Sequence, residues 1–261
     1  MHPKKVILLV LLFSSLLPAA LAAKMLPVRK VRHGVPPYQV LGNVFAANNQ
    51  RVAGKDAAIR EAERGPDLTW LTDCEAKIRP ELVTASGQRP FTVRTLANQL
   101  VSGLAAVDFG IRHLHTSVLL ITSNTGNETI RLYMEGYQRL EPEIRQELDH
   151  LHLALGAPTR PAAIGKKFAE QWLTNIERNV DYQVKQAIDR YQERVADGRL
   201  VVAGTILDLD GAYGRGKDRL LLINLNGETD PEKIRQSPHL ARFPKDARTL
   251  SVGRQRMEGK R

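Results

Sequence analysis

Four side chains that could do chemistry follow an apolar segment in "LTWLTDCEAKIRPELV", residues 68 to 83. They are an acid, a thiol, a second acid and a base: Asp73, Cys74, Glu75 and Lys77. Two carboxylates close together on a loop can adopt different pKa values, which general acid and base catalysis requires. Asp73, Glu75 and Lys77 are therefore candidate catalytic residues, acting as acid, base and electrostatic group.

Cys74 is the only cysteine of the chain, so no internal disulfide can form and stability must come from packing. A nucleophilic thiol needs a neighbouring base and a lowered pKa. Lys77 is the only nearby cation, and no motif brings a histidine to Cys74. We favour the alternative, an inert small hydrophobic residue at the end of a buried strand.

A second polar stretch follows the apolar segment 116–124. The carboxyl ends of strands are where open α/β sheets bind ligands, and the free amides of a helix start attract anions. Thr125 to Glu128 also fits a capping box, which predicts a helix opening at Thr125. We favour simple capping, and keep as possible anion-binding residues Ser123, Asn124, Thr125 and Gly126.

Other candidate motifs have simpler explanations. His113 and His115, like His150 and His152, are two residues apart and do not share a helix face, so we interpret them as surface residues rather than metal ligands. The segment "GAYGRGK", residues 211 to 217, lacks the spacing of a phosphate-binding P-loop. We interpret it as a hairpin turn.

Strand and helix patterns alternate along the chain. Residues 104–114 carry an apolar stripe at helical spacing, and residues 168–191 form a long amphipathic helix that Gly198 should end. We expect α/β architecture, with a mainly parallel four- to five-stranded sheet flanked by helices. The segment 219–227 is either the hairpin partner of the preceding strand or a separate edge. The predicted strands are 67–73, 89–96, 116–124, 199–211 and 219–227.

The two ends of the chain differ in composition from the middle. Residues 1–22 have lysines, then an uncharged apolar run, then a small-residue cleavage pattern near Ala22, as in a secretory signal peptide. An uncleaved membrane anchor is the alternative, but the apolar run is short for a membrane span. We expect an extended arm at 23–40, a domain at 41–228 and a basic tail at 229–261, in a secreted or periplasmic protein.

The net charge of +10 favours anionic partners. We interpret the basic end, residues 242–261, as a solvated and frayed terminus, although it could hold an anionic ligand, lipid or envelope polymer. Zinc-finger spacing, basic heptad helices and aromatic-rich RNA-binding strands are all missing from the sequence, so a nucleic-acid partner is not expected.

Five segments in order resemble the β-class carbonic anhydrases over roughly residues 40 to 225. They are "LGNVFAANNQRVAG", "WLTDCEAKIRPELV", "FTVRTLANQL", "AAVDFGIRHLHTSVLLITSNTG" and, after "NVDYQV", "DGRLVVAGTILDLDG". The third segment places Arg94 and Asn98 where the family has an arginine and an asparagine. The resemblance implies a β-carbonic-anhydrase-like fold and a homodimer. It also implies a zinc ion held by two cysteines and a histidine, whose bound water becomes the attacking hydroxide.

The same alignment assigns the zinc-ligand positions to Asp73, Ser123 and Gly126, and the family's aspartate and arginine pair to Glu75 and Lys77. A hydroxyl is a poor zinc ligand and glycine has no side chain, so we expect neither a zinc site nor another cofactor. Lysine also lacks the two-pronged contact of arginine. The sequence therefore predicts a non-catalytic binding or scaffold subunit; the alternative is an enzyme with metal-independent acid and base chemistry in the same cleft.

Overall fold

The structure, a computed structural model, describes residues 35–52, 66–75, 77–83, 90–157 and 165–254. Within these ranges a single five-stranded sheet has the order β2-β1-β3-β4-β5. The first four strands are mutually parallel, and β5 is antiparallel to β4. This confirms the predicted fold class and makes β5 the hairpin partner of β4. The strands are β1 (Leu68–Asp73), β2 (Phe91–Thr95), β3 (Val118–Asn124), β4 (Val201–Asp208) and β5 (Arg219–Leu225).

Helices cover both faces of the sheet. The apolar stripe predicted at 104–114 forms α2 and a π-helical turn, Phe109–His113. The long amphipathic helix is confirmed as α6; it ends at Arg190, and a short α7 follows before Gly198, whose φ is +67°. The helices are α1 (Pro37–Val52), α2 (Leu104–Asp108), α3 (Glu128–Glu135), α4 (Pro142–Asp149), α5 (His152–Leu155), α6 (Lys166–Arg190), α7 (Gln192–Ala196), α8 (Pro231–Gln236) and α9 (Lys245–Ser251).

Alternate residues of each strand enter two separate apolar layers, because successive side chains of a strand point to opposite faces. Leu71 and Ile121 belong to the layer that α6 covers, whereas Trp70 and Leu120 belong to the layer that α1 covers. Every residue of β3 is buried, as its continuous apolar pattern predicts. The sheet is therefore the centre of the molecule, and its carboxyl edge is framed by helices on both sides.

The prediction of a frayed terminus at 242–261 is wrong for its described residues, 242–254. Helices α8 and α9 and a 3-10 turn, Pro238–Leu240, fold onto the α1 side of the sheet. Phe243 is 6% exposed and its ring lies 5.5 Å from that of Phe45. Val252 pairs with Leu222 of β5. Sparse apolar residues in a basic segment suffice here, because each one fills the same apolar layer.

The predicted amino-terminal arm also needs correction where it is described. Helix α1 begins at Pro37, since proline suits the first turn of a helix, and Val40 and Leu41 are buried against the sheet. The pattern of residues 42–63, with Val44, Phe45 and Val52 among polar residues, predicts a helix, and the structure has this helix as far as Val52. The predicted signal peptide, residues 23–34 and residues 255–261 of the tail lie outside the described residues. No helix of the described ranges is both long and apolar enough to cross a membrane.

Candidate functional site

The candidate residues meet at the carboxyl edge of the sheet. Strands β1 and β3 are parallel neighbours, with Thr72 opposite Thr122. Asp73 at the end of β1 therefore lies beside Ser123 and Asn124 at the end of β3, although about fifty residues separate them in sequence. Parallel strands end at the same edge of a sheet, which is why two distant polar stretches form one cluster.

Asp73 is the buried centre of this cluster, with no exposed surface. Its Oδ2 accepts hydrogen bonds from Ser123 Oγ at 3.1 Å and from Asn124 Nδ2 at 3.3 Å. Its Oδ1 has no hydrogen-bond partner among the described residues. Burial, and then the negative charge of Glu75, raises the pKa of Asp73 from 3.8 to about 8, against the opposing effect of the hydrogen bonds. The Asp73 carboxyl is therefore mostly neutral at pH 7.

The side chain of Glu75 lies against the amino-terminal end of helix α3. Its Oε1 accepts a hydrogen bond from the backbone amide of Glu128 at 2.7 Å, and its Oε2 accepts one from Asn124 Nδ2 at 3.4 Å. The side chain of Glu75 is 12% exposed. The amide of Gly126 donates to Asn124 Oδ1 at 2.8 Å. The helix-start amides predicted to bind an anion thus donate to groups of the protein itself, and Glu75 is the negative charge there.

Asn127, not Thr125, caps helix α3, so the predicted capping box is wrong. Asn127 Oδ1 accepts from the amide of Ile130 at 2.8 Å, and its Nδ2 donates to Ser123 Oγ at 3.0 Å. The amide of Thr125 instead donates to the carbonyl of Leu207, which continues the pairing of β3 with β4. The helix therefore begins two residues later than predicted, and its cap is joined to the buried cluster.

Lys77 closes the cluster on the solvent side. Its Nζ donates to the carbonyl oxygen of Gly126 at 3.0 Å and lies 3.7 Å from Glu75 Oε2 and 3.9 Å from Glu128 Oε1. The predicted ion pair of Glu75 and Lys77 is present, with the Lys77 side chain about half exposed. The resemblance assigns the zinc-ligand positions to Asp73, Ser123 and Gly126, and the fold brings these three positions together. The Lys77 ammonium lies against the third of them, Gly126.

Arg94 positions the loop after β1, a role that the sequence did not reveal. Its guanidinium donates to the backbone carbonyls of Asp73 at 3.4 Å, Glu75 at 3.2 Å and Ile78 at 2.7 Å. These three bonds span the whole candidate loop, so Arg94 holds Glu75 over the start of α3. The sequence signal for Arg94 was its place in the third segment of the resemblance, which gave it no structural partner.

Cys74 is exposed rather than buried, contrary to the expectation of a small core residue. Partial desolvation, and then the charges of Asp73 and Glu75, raises the pKa of the Cys74 thiol, which keeps the less nucleophilic thiol form at neutral pH. Within the described ranges, no three His, Cys, Asp or Glu side chains lie close enough together to hold a metal ion. His152 is instead engaged with Tyr137, whose hydroxyl lies 2.7 Å from its Nε2.

Solved structures with similar folds are β-carbonic anhydrases. One from Coccomyxa, in complex with acetazolamide, has a TM-score of 0.51 and 16% identity over 73% of this chain and 82% of its own. A tetrameric enzyme of the filamentous ascomycete Sordaria macrospora has a TM-score of 0.50 and 16% identity, over 67% of this chain and 85% of its own. The β-carbonic anhydrase CcaA has a TM-score of 0.50 and 16% identity, over 62% and 81%.

The chain has the fold of the β-carbonic anhydrases. No protein-family model and no curated protein matches the sequence. At 16% identity the likeness concerns the fold alone, and it confirms the fold that the five sequence segments implied. What the carboxyl edge of this β-carbonic-anhydrase fold does has to be argued from its own side chains.

Proposed function

We propose that this chain is an exported, non-catalytic binding or scaffold subunit with the β-carbonic-anhydrase fold, in which the zinc site has been replaced by a hydrogen-bonded cluster. The observation that carries the proposal is the joining of Asp73, Ser123, Asn124 and Asn127 where the resemblance expects a metal. These side chains hydrogen-bond to one another, and neither they nor Lys77 supply a thiolate or an imidazole for a cation.

The donors at the three aligned positions do not fit zinc. Zinc in proteins is held by cysteine sulfur, histidine nitrogen or carboxylate oxygen. Of the three positions only Asp73 has such a group, and its Oδ2 already accepts two hydrogen bonds. Ser123 offers a neutral hydroxyl. A Cβ atom at Gly126 would lie 3.1 Å from the Lys77 ammonium, a positive charge that repels a second cation.

Metal-independent acid and base chemistry is not favoured at this edge. The Asp73 side chain is completely buried and cannot contact a substrate without opening the cluster. Glu75 is engaged by the Glu128 amide, by Asn124 and by Lys77. Each group that a reaction would need is thus committed to holding the loop and the helix start.

The test is a measurement of metal content and carbon dioxide hydration on the purified mature chain. After exposure to zinc and desalting, we expect far less than one zinc per chain and a hydration rate equal to that of buffer. An active β-carbonic anhydrase treated in the same way serves as the positive control. One tightly held zinc per chain together with hydration activity would overturn the proposal.

The proposal includes export and self-association. Expression of the full chain in a host with a secretory pathway should yield an external product that begins near residue 23, read by amino-terminal sequencing. Light scattering on that product should give twice the mass of one chain, as expected for a homodimer. An intracellular, uncleaved product would contradict export, and a mass of one chain at micromolar concentration would contradict the dimer.

A further inference from the structure

A basic cavity lies on the side of the sheet opposite α6, where α8 and α9 pack. It has a volume of about 670 Å³, within the range of pockets that bind small molecules. The hairpin loop between β4 and β5, helix α8 and helix α9 each contribute to it. Its lining residues are Arg215, Glu232, Arg235, Lys245, Arg248, Thr249 and Leu250.

Backbone carbonyls hold the arginines of this cavity in place. Arg248 donates to the carbonyls of Phe243, Arg235 and Ala241 at 3.0 to 3.2 Å. Arg235 donates to the carbonyl of Val252 at 3.0 Å. Because a carbonyl is neutral, these bonds fix the guanidinium groups without cancelling their charge. The positive charge is therefore preorganised before any ligand arrives.

The charges of the cavity do not balance. Even without Arg215, the side chains of Arg235, Arg248 and Lys245 place three positive charges against the single carboxylate of Glu232. Glu232 pairs with Arg235 and is 74% exposed, so water screens much of its charge. Lys245 is exposed, and its ammonium has no hydrogen-bond or ion-pair partner in the part of the chain that the structure describes.

Hydrogen-bond donors remain for a ligand. A guanidinium has five N–H groups, two on each terminal nitrogen. In Arg235 and Arg248 each terminal nitrogen makes one hydrogen bond to a described residue, which leaves a second N–H on each. A tetrahedral oxyanion can accept from several such donors at once, and guanidinium groups suit its geometry.

We propose that this cavity binds a small molecule bearing a doubly charged oxyanion, a phosphate or sulfate group. The volume exceeds that of the inorganic ion, and Leu250, whose side chain is 43% exposed, offers apolar contact for the rest of the molecule. The inference does not depend on the zinc site, since the cavity and the Asp73 cluster share no residue.

The experiment measures binding of inorganic phosphate and of inorganic sulfate to the mature chain by calorimetry, with chloride used to keep the ionic strength constant. The wild-type protein should bind at least one of the two ions saturably. Lys245→Glu should raise the dissociation constant about tenfold or more, because it reverses a positive charge of the cavity that no described carboxylate pairs with. Lys167→Glu, the same charge change at an exposed position of α6, should leave it within about twofold.

The stability of the variants and the pattern of binding decide the outcome. Both variants should unfold at the same temperature as the wild type in the absence of ligand, since neither lysine has a described partner. Equal weakening by the two variants would mean binding to net charge alone and would overturn the proposal. The proposal would also be overturned if neither phosphate nor sulfate bound saturably. Binding to vesicles that contain phosphatidic acid, without binding of the free ions, would also overturn it in favour of a lipid surface.

Discussion

At the scale of single residues, the buried carboxyl of Asp73 makes the stability of the fold depend on pH. In the unfolded chain its carboxyl titrates near 3.8, whereas in the folded chain burial raises its pKa to about 8. Between these values the folded state keeps a proton that the unfolded state has released. The stability that this group contributes is therefore fully present below about pH 4 and is lost as the pH rises through 8.

Asp73→Asn should remove this pH dependence, because the amide has nearly the same shape and no proton to lose. The free energy of unfolding of the variant, minus that of the wild type, should increase as the pH rises from 5 to 8. Urea denaturation at pH 5, 6.5 and 8 measures the difference. Asp197→Asn, at an exposed aspartate, controls for the loss of one negative charge. A difference between Asp73→Asn and wild type that stays constant across this range would contradict the assignment.

At the scale of elements, helix α6 approaches the sheet closely at Gly204. A Cβ atom there would lie 2.8 Å from Val180 and 2.9 Å from Val184, both on α6. Helix α6 can therefore lie directly on β4 only because residue 204 has no side chain. In contrast, a Cβ atom at Gly42 of α1 would meet Phe243 at an ordinary 3.6 Å.

This difference predicts opposite effects for the same substitution. Gly204→Ala should destabilise the protein by about 1–3 kcal/mol, because α6 must move or its valines must leave their rotamers. Gly42→Ala should be neutral or stabilise by up to about 1 kcal/mol, since alanine is the better helix former. Thermal and urea unfolding of the two variants measure both effects. Equal stability of the two would show that α6 and β4 are not in this close contact.

The cap of α3 gives a second prediction at this scale. Asn127→Ala should cost about 1–2 kcal/mol, because it removes the acceptor for the Ile130 amide and the donor to Ser123. Asn127→Ser keeps a capping oxygen and should recover part of the loss. Thr125→Ser keeps the oxygen that accepts from the Leu209 amide and should change little. If Thr125 were the cap instead, Asn127→Ala would change the stability by no more than about 0.5 kcal/mol.

At the scale of the whole molecule, residues 229–254 belong to the folded domain. Its apolar residues complete the layer on the α1 side of the sheet, and Phe243 contacts Phe45 edge to face. The basic end of the chain is therefore two things at once: its apolar side chains stabilise the domain, and its charged ones line the cavity.

Phe243→Ala should destabilise the whole domain by about 3–5 kcal/mol, the usual cost of removing a buried phenylalanine side chain. Leu250→Ala, seven residues further on and 43% exposed, should change stability by no more than about 0.5 kcal/mol. Both are read from cooperative urea unfolding followed by tryptophan fluorescence, since Trp70 lies in the same apolar layer as Phe243. A Phe243→Ala protein as stable as Leu250→Ala would restore the interpretation of a solvated terminus.

The sequence predicted best those elements whose residues repeat at the period of the element. The unbroken apolar run of β3 and the four-residue spacing along α6 both reflect burial, and burial dictates residue type position by position. Predictions failed where a distant partner decides the structure. Asn127 caps α3 in place of Thr125, because the amide of Thr125 pairs with the carbonyl of Leu207, about eighty residues away, and keeps Thr125 in the strand pairing.

The amino acid sequence by itself determined the fold class and the chemical groups available at positions 73, 123 and 126: a carboxyl, a hydroxyl and a bare backbone. Only the tertiary structure decided that these positions meet, that Glu75 lies over the start of α3, and that a basic tail completes a core and a cavity. The reason is physical. Local periodicity records which side of an element is buried, whereas the partner of a polar group depends on which strand ends the folded sheet brings together.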